Sequence, residues 1–243
     1  MEKIIGLRID KTIYKDGNKV IKSFNENYTK AQVLNEALNL AGVEETLLLV
    51  PSFDSVFYRE GKWMLACDYI EGSPLDKHLR LNDSSSFKYL ERFVDLQIKV
   101  HNTDCELLYK LRDKLNYKIE LSDLLATKRY ALRSKLESLE KQEKLCHGDF
   151  TPENIIVNKS GEFFIIDWAH AAVGNVYCDV AISYLDFLIN YSKEVAEIYL
   201  KMYCEKTDCE SKDILVWLQI VASARLFKAN KEEKQFLMKI INS

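Results

Sequence analysis

His147-Gly148-Asp149-Phe150-Thr151-Pro152-Glu153-Asn154 runs straight into Ile155-Ile156-Val157. After Asn158-Lys159-Ser160-Gly161, a second apolar run, Phe163-Phe164-Ile165-Ile166, ends on Asp167-Trp168. Two short β-branched and aromatic runs around an Asn/Ser/Gly turn predict a β-hairpin. The polar residues at its ends are the informative ones. Asp149 precedes the ribbon in a loop, Asn154 stands at the mouth of its first strand, and Asp167 closes its second. The hairpin folds Asp167 back beside Asn154, so an amide oxygen and a carboxylate converge. Asp and Asn favour turns and caps for local reasons alone. The D-x-x-x-x-N spacing, with an aspartate at the far end of a two-strand ribbon, asks for more than that.

Towards the N-terminus, Thr12 to Tyr14, the turn Asp16-Gly17-Asn18 and Val20-Ile21-Lys22 read as another hairpin. Thr29 to Ala41 carries Leu34, Ala37, Leu38 and Ala41 at helical spacing, with Gly42 at the stop position. Val56 to Tyr58 and Trp63 to Cys67, joined at Glu60-Gly61, add two strands. Hairpin, helix, hairpin is too little for a complete fold, so residues 1–70 are expected to form an N-terminal lobe. Gly72-Ser73-Pro74 breaks the pattern, which places a hinge at residues 68–72. In residues 71–243, Phe87 to His101 aligns Phe87, Leu90, Val94 and Ile98 on one side, Leu121 to Lys144 is a charged amphipathic stretch, and helices follow Tyr177. The expected class is α+β, with a small antiparallel-sheet lobe holding one helix and a larger, mainly helical lobe.

Phosphoryl transfer demands little covalent work from a protein. It needs a carboxylate near the acceptor hydroxyl and oxygen ligands for magnesium beside the phosphates. Asp149, Asn154 and Asp167 supply those groups. Lys22 lies on the third strand, where a kinase lysine would contact the α- and β-phosphates, and Glu36 lies on the following helix, where it could pair with that lysine, with Glu26 nearby. A buried lysine needs such a partner.

The block from Leu145 to Ala181, with H-G-D, Asn154 five residues after Asp149, Ile166-Asp167-Trp168 and Asp179-Val180-Ala181, resembles the aminoglycoside phosphotransferase and choline kinase superfamily. Members of that superfamily share the protein-kinase fold and phosphorylate small molecules. The resemblance implies a bilobal kinase-like fold with ATP and Mg2+ as cofactors. It implies Asp149 as catalytic base, Asn154 and Asp167 as magnesium ligands, Asp179 as a carboxylate supporting the catalytic loop, and His147 as a packed loop histidine. Asp68-Tyr69-Ile70 resembles the hinge whose main chain binds adenine. No G-x-G-x-x-G loop precedes Lys22, only Gly6 and Arg8-Ile9-Asp10-Lys11. Arg8 or Lys11 is expected to assist the phosphates.

The remaining sequence narrows the class. A net charge of -3 and a pI near 5.9 argue against a general nucleic-acid binder. Six cysteines without a C-x-x-C pair read as reduced thiols. Met1 to Asp10 lacks the apolar stretch of a signal peptide, and no apolar run is long enough to span a membrane. A cytoplasmic protein is expected, monomeric or homodimeric, whose partner is a small hydroxyl-bearing substrate and neither nucleic acid nor membrane.

Asp179 follows Asp167 by twelve residues with no A-P-E, which leaves little platform for a peptide. Asp186, Glu194, Glu197, Glu205, Asp208 and Glu210 make the downstream region acidic. That would suit an amino sugar, choline or another amino alcohol, although charged helix faces are usually just solvated. Trp168 and Asp186 are expected to touch the acceptor. The rival readings are an atypical protein kinase, disfavoured by the short segment, and a nucleotide-binding pseudokinase. A pure scaffold has no chemical need for Lys22, Asp149, Asn154 and Asp167 together.

Overall fold

The structure is a computed structural model describing residues 3–8, 10–80, 84–105 and 109–243. The chain begins with strands β1 (Lys3–Leu7), β2 (Lys11–Asp16) and β3 (Lys19–Phe24), then helix α1 (Lys30–Glu44). Strands β4 (Phe53–Arg59), β5 (Lys62–Asp68) and β6 (Ser73–Pro74) lead to the short helix α2 (Leu75–Leu79). Helices α3 (Ser84–His101), α4 (Leu111–Glu120) and α5 (Ala126–Ser138) precede the short strands β7 (Lys144–Cys146), β8 (Ile155–Val157), β9 (Phe163–Ile165) and β10 (Ala172–Gly174). The chain ends in α6 (Val176–Asn190), α7 (Lys193–Thr207), α8 (Ser211–Leu215), α9 (Leu218–Arg225) and α10 (Lys231–Ile241).

Packing separates two units. One is Met1–Leu81 with Cys105–Leu107 and Pro152–His170; the other is Asn82–Asp104 with Leu108–Thr151 and Ala171–Ser243. This grouping differs from a cut at residues 68–72, because the first unit runs on to Leu81 and takes in the later ribbon. Gly72 shows why the chain is not loose there. A Cβ on it would lie 2.3 Å from the Val157 carbonyl oxygen, so only glycine passes this close to β8.

In the first unit, an antiparallel sheet runs in the order β1-β2-β3-β5-β4. The β4–β5 turn puts both Glu60 (φ 53°) and Gly61 (φ 80°) in the left-handed region, as a two-residue hairpin turn requires. Ile21, Met64 and Ala66 form a small core against Tyr14 and Phe57. α1 starts on a capping box in which Thr29 and Gln32 satisfy each other's backbone N–H groups, an arrangement worth about 1 kcal/mol. The expected stop at Gly42 is corrected: α1 continues to Glu44 because Val43, fully buried, extends its apolar face by another residue pair. β8 and β9 form the predicted hairpin, and β6 pairs on its outer side.

In the second unit, α3 buries Leu90, Phe93, Val94, Gln97, Val100 and His101. The expected stripe is corrected at Phe87, which is exposed. The stretch Leu121 to Lys144 is not one helix. α5 ends at Ser138, Leu139 turns the backbone into the extended region, and Lys144 already belongs to β7, which pairs with β10. Phe93 packs 4.7 Å from Phe150, and Phe187 packs 4.9 Å from Tyr199, measured between ring centroids. Among the described residues no helix is long and apolar enough to cross a membrane.

Candidate active site

The first unit gathers four charged side chains. Strand β3 pairs Lys22 with Ile13 on one side and Leu65 on the other, fixing the direction of its side chain. Its ammonium lies 2.6 Å from Glu36 Oε1, offered by α1, and 2.8 Å from Asp167 Oδ1. Lys11 Nζ, from the first residue of β2, lies 3.2 Å from the same Asp167 oxygen and 3.7 Å from Glu36 Oε1. Burial opposes charge on Asp167, but the ammonium groups of Lys22 and Lys11 overcome it and hold the carboxyl below its usual range. For Lys22 burial likewise opposes the charge, and Asp167 and Glu36 outweigh it, so the ammonium loses its proton less readily than usual. Lys22 and Asp167 thereby both keep their charges.

The backbone at Asp167 is unusual, with φ at 62° in the left-handed region. A non-glycine residue there costs energy that its surroundings must repay. Asn39 of α1 does so in part, donating from Nδ2 to the carbonyls of Trp168 and Ala169, both at 3.2 Å. The Ile166 N–H donates to the Asn154 carbonyl at 2.9 Å, which sets the mouth of β8 against the end of β9. The ribbon therefore sets the Asn154 backbone beside Ile166, and Asp167 shares the Lys22 ammonium with Glu36.

The second unit holds the loop carrying Asp149. Gly148, at φ 75°, supplies the left-handed turn that the loop needs. Asp179, fully buried on α6, accepts the Gly148 N–H at 2.7 Å and the His147 N–H at 3.2 Å. Its Oδ2 also lies 3.1 Å from His101 Nε2, and His101 Nδ1 lies 2.9 Å from the Tyr203 hydroxyl. Burial works to raise the Asp179 carboxyl, but the His101 hydrogen bond, the two nearby imidazoles and the Gly148 N–H bring it below its usual range.

On the far side of Asp149, the Ser183 hydroxyl donates to the Phe150 carbonyl at 2.6 Å. Ser183 accepts from Gln97 Nε2 at 3.0 Å, and the Tyr199 hydroxyl donates to Gln97 Oε1 at 2.5 Å. Asp149 is half-buried, with fixed neighbours on both sides. Its charge acts on Lys118, Asp186 and Arg225. Asp186, buried on α6, accepts from Asn190 at 2.7 Å and meets Arg225 at 3.4 Å. Burial, aided by the charge of Asp149 and opposed by Arg225, pushes its carboxyl up to about 6.

A sequence model of the phosphotransferase enzyme family matches residues 11–213. The chain belongs to this family. Protein LicA of Haemophilus influenzae is 26% identical over 153 residues, which cover 58% of this chain and 55% of that protein. The match thus spans about half the length of this relative. Among solved structures, the fold is similar to choline kinase LicA from Streptococcus pneumoniae, with a TM-score of 0.69 and 16% identity over 100% of this chain and 93% of the other. It is similar as well to aminoglycoside-3'-phosphotransferase of type VIII, with a TM-score of 0.67 and 16% identity over 92% of this chain and 93% of the other. The α+β, protein-kinase-like class expected from the sequence is the fold of both.

Trp168 is corrected as an acceptor contact: it is 1% exposed and its indole N–H donates to the Ile165 carbonyl at 3.1 Å, so the ring belongs to the core. At the end of β5, the Asp68 N–H donates to Ser52 and its carboxylate pairs with Lys19, while the Tyr69 N–H donates to Asn18. Among the described residues no hydrogen bond uses the main chain of Ile70.

The acidic stretch is largely ordinary helix surface. Glu205 pairs with Lys201, Glu210 with Lys212, and Glu197 accepts from Tyr184; only Asp186 is buried. Sequence reasoning missed His101, Gln97, Ser183, Tyr199 and Tyr203. The available signal was Gln97 and His101, polar residues four apart in the buried phase of an apolar helix face.

Proposed function

We propose that this phosphotransferase transfers the terminal phosphate of ATP to a hydroxyl group of a small molecule, with magnesium. The observation that carries this reading is the Lys22 ammonium bridging Glu36 and Asp167 at 2.6 and 2.8 Å, the pairing that phosphoryl-transfer enzymes use to hold a phosphate-binding lysine.

The ionised Asp167 carboxylate and the Asn154 amide are hard oxygen donors of the kind magnesium takes. Bound there, the ion would neutralise phosphate charge. Lys22, oriented by Glu36, binds the α- and β-phosphates. The main chain of Asp68, Tyr69 and Ile70, at and just after the end of β5, receives adenine. Asp149 orients the acceptor hydroxyl and takes its proton, while Asp179 and Ser183 fix the loop on either side of it. On this reading the first unit holds the nucleotide and the second holds the acceptor.

The acceptor class we favour is a small cationic alcohol, such as an amino alcohol or amino sugar, with the buried Asp186 as its candidate carboxylate. The neighbouring choline kinase and aminoglycoside phosphotransferase folds support that class. Six free thiols fit a reducing, cytoplasmic setting.

The test is ADP release by the purified chain with ATP, Mg2+ and a panel of amino alcohols and amino sugars. Release that requires one acceptor, and that disappears in Asp149→Ala, supports the reading. Nucleotide binding without turnover on any acceptor would replace it with a pseudokinase, and phosphate found on protein would replace it with an atypical protein kinase.

A further inference from the structure

The ionic cluster holds one more cation than a single phosphate-binding lysine needs. We propose that Lys11 is a second polyphosphate-binding residue, standing in for a glycine-rich loop; this rests on the nucleotide reading above. β1 ends at Leu7 and β2 begins at Lys11, so the link is too short to offer the run of backbone N–H groups with which a glycine-rich loop covers phosphates. The Arg8 N–H is already spent on the Lys11 carbonyl at 2.9 Å. Among the described residues of this link, charge must therefore come from a side chain. Arg8 is poorly placed for that, since its guanidinium is exposed and pairs with Glu153 at 3.6 Å.

Lys11 is placed differently. Its side chain is only 10% exposed, so burying it serves something that repays the desolvation. Neutralising Glu36 and Asp167 is part of that, yet Lys22 already takes the short contacts to both carboxylates. Lys11 makes a longer, forked contact of 3.2 and 3.5 Å to the two Asp167 oxygens and an ion pair of 3.7 Å to Glu36. An ammonium has three N–H donors, and this arrangement leaves donors for further oxygens. The cluster opens at the same corner, because the Asp167 side chain is 25% exposed against 8% for Glu36. An incoming polyphosphate draws Lys11 from Asp167 and leaves that carboxylate an open face.

Equilibrium binding of adenosine, ADP and ATP in EDTA tests this without turnover or metal. Lys11→Met is expected to lose about ten- to hundredfold in ATP and ADP affinity, the scale of a charge-assisted contact, with adenosine affinity within about twofold of the wild-type value. Lys11→Arg is expected to recover most of the loss. An unchanged ATP-to-adenosine ratio in Lys11→Met, or an equal loss for all three ligands, would overturn the proposal. Lys22→Met is the control. A selective loss there with none at Lys11 removes only the second lysine, whereas a wild-type chain that binds no nucleotide removes the phosphotransferase reading as well. Should Lys11→Met fail to fold, Lys11→Gln, which keeps a donor towards Asp167, is judged by the same ratio.

Discussion

The charged cluster of the first unit and the hydrogen-bonded cluster of the second are built on opposite principles of bonding. In the first unit, Lys11, Lys22, Glu36 and Asp167 meet through ion pairs between long side chains, and one corner is open to solvent. In the second, the loop around Asp149 hangs by its own backbone from Asp179 and Ser183, both fully buried and each backed by a further hydrogen-bonded chain. Ion pairs can exchange one partner for another when a phosphate arrives. Backbone bonds to a buried carboxylate cannot be surrendered without leaving donors unsatisfied. The first arrangement suits a part that must hand charge to a ligand, and the second suits a part that must stay still.

That contrast is easiest to break at Asp179. Asp179→Ala leaves the His147 and Gly148 N–H groups and His101 without their acceptor, and should cost about 3–5 kcal/mol in denaturant unfolding along with turnover. Asp149→Ala removes a side chain rather than the frame that holds it. It should cut turnover at least about a hundredfold, and so should Asp167→Ala, the range for losing a general base or a metal ligand. Melting curves separate the cases, because Asp149→Ala should melt close to the wild-type protein while Asp179→Ala should not.

Asp186 gives the smallest of these effects, visible only through pH. Its carboxyl rises from 3.8 to about 6 on folding, so the native state favours the neutral form. The Asp186 contribution to wild-type stability should therefore be complete below about pH 4 and decline as pH climbs through 6. Asp186→Asn, neutral throughout, should match the wild-type protein near pH 4 and exceed it by about 2–3 kcal/mol above pH 7. Equal stability curves at both pH values would show that burial does not govern this carboxyl.

The readable parts of the molecule are those where local chemistry and tertiary structure ask for the same residue. The ribbon from Asn154 to Asp167 was legible because β-branched runs and an Asn-Lys-Ser-Gly turn form a hairpin by themselves, and the hairpin fixes which ends meet. Lys22 and Glu36 followed from the order of strand and helix. Trp168 was misread because nothing local reveals that its indole is sealed in the core and donates to the Ile165 carbonyl. Lys11 could not be seen as buried, since a lysine is exposed by default and only the fold supplies its carboxylates. Gln97 and His101 come from α3 and Ser183 from α6, and their meeting across helices is a product of packing. The end of α1 was missed for a related reason: a glycine stops a helix when the chain beyond it is free to leave, and Val43 is anchored in the core.

The central claim, phosphate transfer from nucleotide to a small hydroxyl, is tested most directly by following phosphorus resonances of ATP in the presence of Mg2+ and a small cationic alcohol. The account predicts that the γ-phosphate signal decays while a single phosphate-monoester signal grows, and that neither changes with Asp167→Ala. A bound nucleotide whose γ-phosphate stays intact with every acceptor, or appears only as inorganic phosphate, would contradict it.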